Sequence, residues 1–167
     1  MKRLITLLIP IVLLGIVVCE SIGVQWPGTA EYYFNRGSSH YEKGDFGEAS
    51  ADYTEAIRID PGYAKAYNSR GWSKYFSSFF GGGNGFADWS KAIELEPNNP
   101  EFYHSRAVAY AGHGKHEKAL VDYNKVIELA TDSGEFYHSR GLTHRALGNS
   151  EKAAADFAKA KELGYEP

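Results

Sequence analysis

Six histidines, one cysteine and an arginine–aspartate pair that recurs along the chain are the residues here with the chemistry to bind or react. The histidines do not form a metal set. His104 and His138 stand at equivalent positions of neighbouring repeats, and packed helices lie about 8–10 Å apart, too far for a shared ion. His113 and His116 flank a turn and are expected in solvent. No carboxylate–histidine spacing matches a metalloenzyme motif, and the single Cys19 excludes a disulfide framework or a multi-cysteine zinc site. With no nucleophile–base constellation either, the chain is expected to be non-catalytic and to need no metal or cofactor.

The arginines are Arg36, Arg70, Arg106 and Arg140, and the aspartates are Asp52, Asp88, Asp122 and Asp156. In three of the four cases a glycine (Gly44, Gly114, Gly148) lies eight residues from both partners. Two antiparallel helices joined at that glycine bring the side chains to one height, which predicts a ladder of partly buried ion pairs. Arginine suits this role because its planar fork can hold both carboxylate oxygens. The competing reading turns the arginines into a groove to grip a ligand carboxylate. Presence in every unit favours the structural one.

These pairs are carried by a period of 34 residues. Glu101-Phe102-Tyr103-His104-Ser105-Arg106 returns letter for letter as residues 135–140, with looser copies at 31–36 and 65–70. A second block begins at Asp52, Asp88, Asp122 and Asp156. Apolar residues step by four within each block (Tyr33, Gly37, Tyr41; Ala49, Tyr53, Ile57), the helical spacing. Gly44, Gly114 and Gly148 stop first helices, Asp60-Pro61 and Glu96-Pro97 end second ones, and Asn99-Pro100 is a start signal. The units are 30–63, 64–99, 100–133 and 134–167, after a linker at 24–29. Each is a helical hairpin too small to bury its own apolar face, so the expected fold is an all-α solenoid of four stacked hairpins. Lys161, where earlier units have Ile57, Ile93 and Ile127, marks the end of the stack.

These residues resemble the tetratricopeptide repeat family. The small residue of its first helix is met by Gly37, Gly71, Ala107 and Gly141, and the aromatic of its second by Tyr53, Trp89, Tyr123 and Phe157. The resemblance implies a superhelix whose first helices line a concave, peptide-binding face. By position that face would hold Phe34, Ser38, Tyr41, Asn68, Trp72, Tyr75, Phe76, His104, Val108, His138, Leu142 and Arg145. The family's Lys/Asn clamp for a C-terminal carboxylate is not reproduced, because Phe34 and Ser38 stand where its first Lys and Asn would be. The function implied is an adaptor that binds a peptide or protein partner. The alternative is a structural or self-associating subunit of a cell-envelope assembly. Ser77–Gly85, which holds the extra length of the second unit, reads as a turn or as a partner-contact loop carrying Phe79 and Phe80.

Charge and the leader complete the reading. Lys plus Arg number 18 against 21 Asp plus Glu, a net charge of −3, and two of the bases (Lys2, Arg3) precede the repeats. No basic surface is available for nucleic acid. Lys2-Arg3 followed by the apolar run Leu4–Val18 makes residues 1–23 a signal peptide or membrane anchor. Three fates stay open: cleavage after Gly23, retention, or lipidation at Cys19, where Val18 replaces the small residue of a lipoprotein box. All three place the repeats outside the cytoplasm.

Overall fold

The structure is a computed structural model and describes residues 27–78 and 85–166. The leader, Cys19, the first residues of the linker and the Phe79–Asn84 segment lie outside them. The described residues form eight helices and no strand. They are α1 (Ala30–Glu42), α2 (Phe46–Ile59), α3 (Ala64–Ser78), α4 (Phe86–Leu95), α5 (Pro100–Gly112), α6 (His116–Leu129), α7 (Gly134–Ala146) and α8 (Ser150–Glu162).

Local sequence sets the ends of these helices. The Thr29 hydroxyl accepts from the Tyr32 amide at 3.1 Å and Asn99 Oδ1 from the Glu101 amide at 3.1 Å, each satisfying a donor with no partner inside the helix. Pro100 opens α5, where its missing N–H costs nothing. Gly44, Gly114 and Gly148 take the left-handed conformation that turns the chain back after α1, α5 and α7 (φ 82°, 69° and 75°).

Each hairpin closes on a small residue facing an aromatic ring. A Cβ added to Gly37 would lie 3.0 Å from the Tyr53 ring, and one on Gly71 or Gly141 would come within 2.8 Å of Trp89 or 2.7 Å of Phe157. Ala107 packs with Ala119 and Tyr123 in the third unit. Between hairpins the core continues through Ala56, Ile57 and Ala66, then through Ala64, Ala92 and Phe102. Buried apolar clusters therefore bridge the first junctions of an array whose units could not fold alone.

A polar ladder runs beside this core. Each arginine uses Nε and one terminal nitrogen to hold both oxygens of its own unit's aspartate: Arg36 with Asp52, Arg70 with Asp88, Arg106 with Asp122, Arg140 with Asp156. The aspartates are buried, between 3% and 5% exposed, so an unpaired carboxylate there would be costly. Three arginines also reach the preceding unit with the remaining nitrogen. Arg70 donates to Thr54 Oγ1 at 3.1 Å, Arg106 to Ser90 Oγ at 3.0 Å and Arg140 to Asn124 Oδ1 at 2.9 Å. One side chain thus ties together three helices from two units.

The Gly71–Trp89 contact supplies a test. Gly71→Ala gains up to about 1 kcal/mol of helix propensity, but driving a methyl into a fully buried indole costs about 1–3 kcal/mol and the second effect should dominate. Adding Trp89→Tyr recreates the natural Ala107–Tyr123 pairing of unit three and should restore much of the loss. Urea unfolding of the single and double variants checks this. A Gly71→Ala protein as stable as the parent would remove the close-approach argument.

Candidate functional site

First helices of neighbouring units touch each other (α1 with α3, α3 with α5, α5 with α7), whereas neighbouring second helices do not. The first helices therefore lie on the inside of the curve, and their inward residues form the candidate site.

In units one and two these residues close on each other. The Phe34 ring lies 5.5 Å from Tyr53 and 5.0 Å from Tyr63. Ser38 donates to the Phe34 carbonyl and accepts from the Tyr53 hydroxyl at 3.2 Å. Tyr41 stands edge-on to Phe46, and Phe76 stacks on Phe46 at 5.2 Å and on Trp72 at 5.7 Å. Trp72 also meets Trp89 at 5.2 Å and donates Nε1–H to Ser105 Oγ at 3.0 Å, a bond to the third unit. Tyr75 contacts Trp89 and His113. Asn68 Oδ1 is buried and has no hydrogen bond among the described residues. Of the aromatic trio Trp72, Tyr75 and Phe76, only Phe76, at 38% exposure, presents much of its ring to solvent.

Units three and four are open. Between them lies a cavity of about 280 Å³ lined by Val108, Ala111, His116, Tyr123, Ser139, Leu142 and Thr143. Leu142, 38% exposed, is its most accessible apolar side chain. A second cavity, about 310 Å³, lies at the end of the stack between His138, Arg145, Phe157, Ala160, Lys161, Tyr165 and Glu166. The Arg145 guanidinium stands 5.6 Å over the Phe157 ring. The lining of this second cavity carries two cations, Arg145 and Lys161, against the one carboxylate of Glu166, which favours an anion at its rim; both cavities are otherwise mostly apolar.

The two inward histidines are sandwiched rather than paired. His104 lies between Tyr123 (5.9 Å) and Phe136 (4.9 Å), and His138 between Phe157 (5.4 Å) and Tyr165 (5.0 Å). No group of three potential metal ligands occurs among the described residues. His113, expected in solvent, is exposed but packs against Tyr75 and Phe86 and bonds the Ala109 carbonyl through Nδ1. His116, also expected in solvent, lines the apolar cavity with Nδ1 buried. Tyr165 was not among the residues selected from the sequence. Its signal was available: it stands where Pro61 and Pro97 close earlier units, and instead of ending a helix it folds its ring onto His138.

Comparison with known proteins decides the family. Models described as tetratricopeptide repeat match residues 30–63, 89–121 and 134–163, together more than half of the chain. The chain is built of tetratricopeptide repeats. Among curated relatives, the protein SGT1 homolog of Oryza sativa subsp. japonica is 44% identical over 45 residues (27% of this chain, 12% of that protein). Small glutamine-rich tetratricopeptide repeat-containing protein 2 of Saccharomyces cerevisiae is 39% identical over 49 residues (29% and 14%). The matched region thus spans about an eighth of those relatives. Among solved structures, a crystal structure of MamA superposes with a TM-score of 0.74 at 22% identity, covering 88% of this chain and 82% of that one. The first tetratricopeptide domain of Spaghetti (RPAP3), bound to the HSP90 peptide SRMEEVD, gives 0.65 at 24% identity, covering 71% and 93%. At these identities the two structures speak for the fold.

Burial pushes the His104 pKa down, with Glu101 and Glu135 pulling weakly the other way. A histidine held neutral in the fold and free to protonate when unfolded contributes its full share of stability above the unfolded value near 6.5, and that share falls away as pH drops toward the lowered folded value. The melting temperature should therefore fall between pH 7 and pH 5. His104→Asn, which installs the residue found at the equivalent Asn68, should flatten part of that slope. An unchanged slope would show that burial of His104 does not matter to stability.

Proposed function

We propose that this array is a non-catalytic adaptor whose concave face over units three and four holds an extended peptide or an unstructured segment of a partner protein. The tetratricopeptide fold is typically an interaction scaffold, and no enzyme family is indicated. The observation that carries the reading is the pair of cavities on the two sides of α7. The Val108–Leu142 cavity has the size and apolar lining to take one large aliphatic or aromatic side chain. The Arg145–Lys161 cavity beside it suits a carboxylate. The structure of the Spaghetti domain with an HSP90 peptide supports peptide binding as a mode open to this fold. The ligand here would differ, because Phe34 and Ser38 replace the clamp residues and the cationic end is the fourth unit.

Selection of peptides from a displayed random library should enrich sequences with a large apolar residue followed by Asp, Glu or a free C-terminal carboxylate. Leu142→Glu should then weaken the selected peptides by about 2 kcal/mol, roughly 30-fold, as for loss of an interface anchor, and Arg145→Ala should remove the acidic preference. Equal affinity for the Leu142→Glu protein would move the site elsewhere.

We also propose that the array works outside the cytoplasm, held or delivered by residues 1–23. The support is Lys2-Arg3 followed by the run Leu4–Val18. No helix among the described residues is long and apolar enough to cross a membrane. Intact mass of the protein from cell fractions distinguishes cleavage, retention and lipidation at Cys19. An unmodified full chain in the cytosolic fraction would count against export.

A further inference from the structure

The junctions between units follow one rule, and the two ends of the stack treat it differently. At each junction the following unit offers an arginine and, one residue earlier, a hydroxyl. Arg70, Arg106 and Arg140 each donate to the side chain one residue beyond the aromatic of the preceding second helix: Thr54, Ser90 and Asn124. The Tyr53 hydroxyl, which donates to Ser38 in its own unit, also faces Ser69, and that of Tyr123 faces Ser139. In the middle junction Trp89 lacks a hydroxyl, and Ser105 accepts from Trp72 instead.

The C-terminal end is closed. Phe157 has no hydroxyl, Ala158 has no acceptor at the place of Thr54, Ser90 and Asn124, and Lys161 replaces isoleucine. The ring contact that His104 makes with Phe136 of the next unit is made for His138 by the chain's own Tyr165. The N-terminal end keeps the receiving half of the rule. Asn35 and Arg36 occupy the places of Ser139 and Arg140, and both are exposed. The Arg36 side chain is 47% exposed, against 15%, 20% and 21% for the other three arginines. Its guanidinium lies 5.1 Å from the Tyr33 ring, as Arg70 and Arg140 lie over Tyr67 and Tyr137, and it adds a contact of 5.5 Å with the Tyr32 ring.

We propose that this N-terminal face is a second docking site, separate from the concave groove, and that it takes one amphipathic helix of a partner protein. The chemistry of that helix is given by the internal junctions: a tyrosine, then Ser, Thr or Asn, with an aliphatic residue four places beyond the tyrosine, as in Tyr53-Thr54-Ile57 and Tyr123-Asn124-Ile127. A second copy of this chain does not fit. Its α2, α4 and α6 are already engaged, and its α8 lacks all three features. Stacking onto the N-terminal face therefore brings in a different protein rather than building a filament.

The test uses the ¹⁵N-labelled full chain in detergent micelles. The probe is a peptide of residues 116–129, made helical by a hydrocarbon staple between positions 121 and 125 on its outward face. The control is the same peptide with Tyr123→Phe, Asn124→Ala and Ile127→Lys, the pattern of α8. The proposal expects saturable shifts of the Asn35 amide and the Arg36 Nε, with affinity at least about tenfold lower for the control peptide and several-fold lower for an Asn35→Ala protein, whose exposed substitution leaves the fold intact. Equal affinity for both peptides would overturn it. So would shifts confined to α7 and α8, no shift at all, or contacts in the free chain showing residues 1–26 already seated on Arg36.

Discussion

A guanidinium gripped by two helical hairpins at once sets the register of this molecule. Hydrophobic burial drives the stack together, but apolar faces tolerate sliding, whereas a forked side chain satisfied on three sides does not. Arg70, Arg106 and Arg140 each hold a buried aspartate in their own unit and an oxygen in the preceding one. Moving a hairpin by one helical turn would leave the guanidinium's third donor without its acceptor in the preceding unit, although the Arg–Asp pair inside the hairpin would move with it. This bond recurs once per repeat of the sequence, so the ladder and the small-residue–aromatic contacts enforce the same geometry.

That register determines where binding surface is left over. In units one and two the inward positions carry rings large enough to reach their neighbours, and Phe34, Tyr41, Trp72, Tyr75 and Phe76 all pack against other aromatics, Phe76 alone of them staying exposed. In units three and four the same positions hold Val108, Leu142, Arg145 and two sandwiched histidines, which leave cavities open. The inward face is therefore filled by aromatic packing at one end and carries cavities at the other, although the backbone repeats throughout.

Much of this was legible in the sequence because the governing contacts repeat. The block at 101–106 and its copy at 135–140 reveal the period, and the eight residues on either side of Gly44, Gly114 and Gly148 bring arginine and aspartate to one height. The helix ends at Asn99-Pro100 and at the glycines follow from local chemistry alone. The availability of the groove residues was not legible. Trp72 and Tyr75 look like ligand anchors on a helical wheel, and only the packing of α3 against α4 and α5 shows their rings turned to Trp89, His113 and the Ser105 hydroxyl. Periodicity marks Tyr165 as a departure from Pro61 and Pro97 but not its role, which depends on the chain folding back onto His138 where the repeat pattern stops. His116 was misjudged for a related reason: a residue next to a turn is exposed only if the next hairpin does not cover it.

The claim that one arginine couples two units is tested most directly by a double-mutant cycle across the junction of units two and three. Arg106→Lys keeps a charge for Asp122 but loses the fork, and Ser90→Ala removes the acceptor in the preceding unit. Urea unfolding of the parent, both single variants and the double variant should give one cooperative transition with a coupling energy of about 1 kcal/mol. Additive single effects, or two separate transitions, would mean that the hairpins are held by apolar contact alone and that the ladder does not set their register.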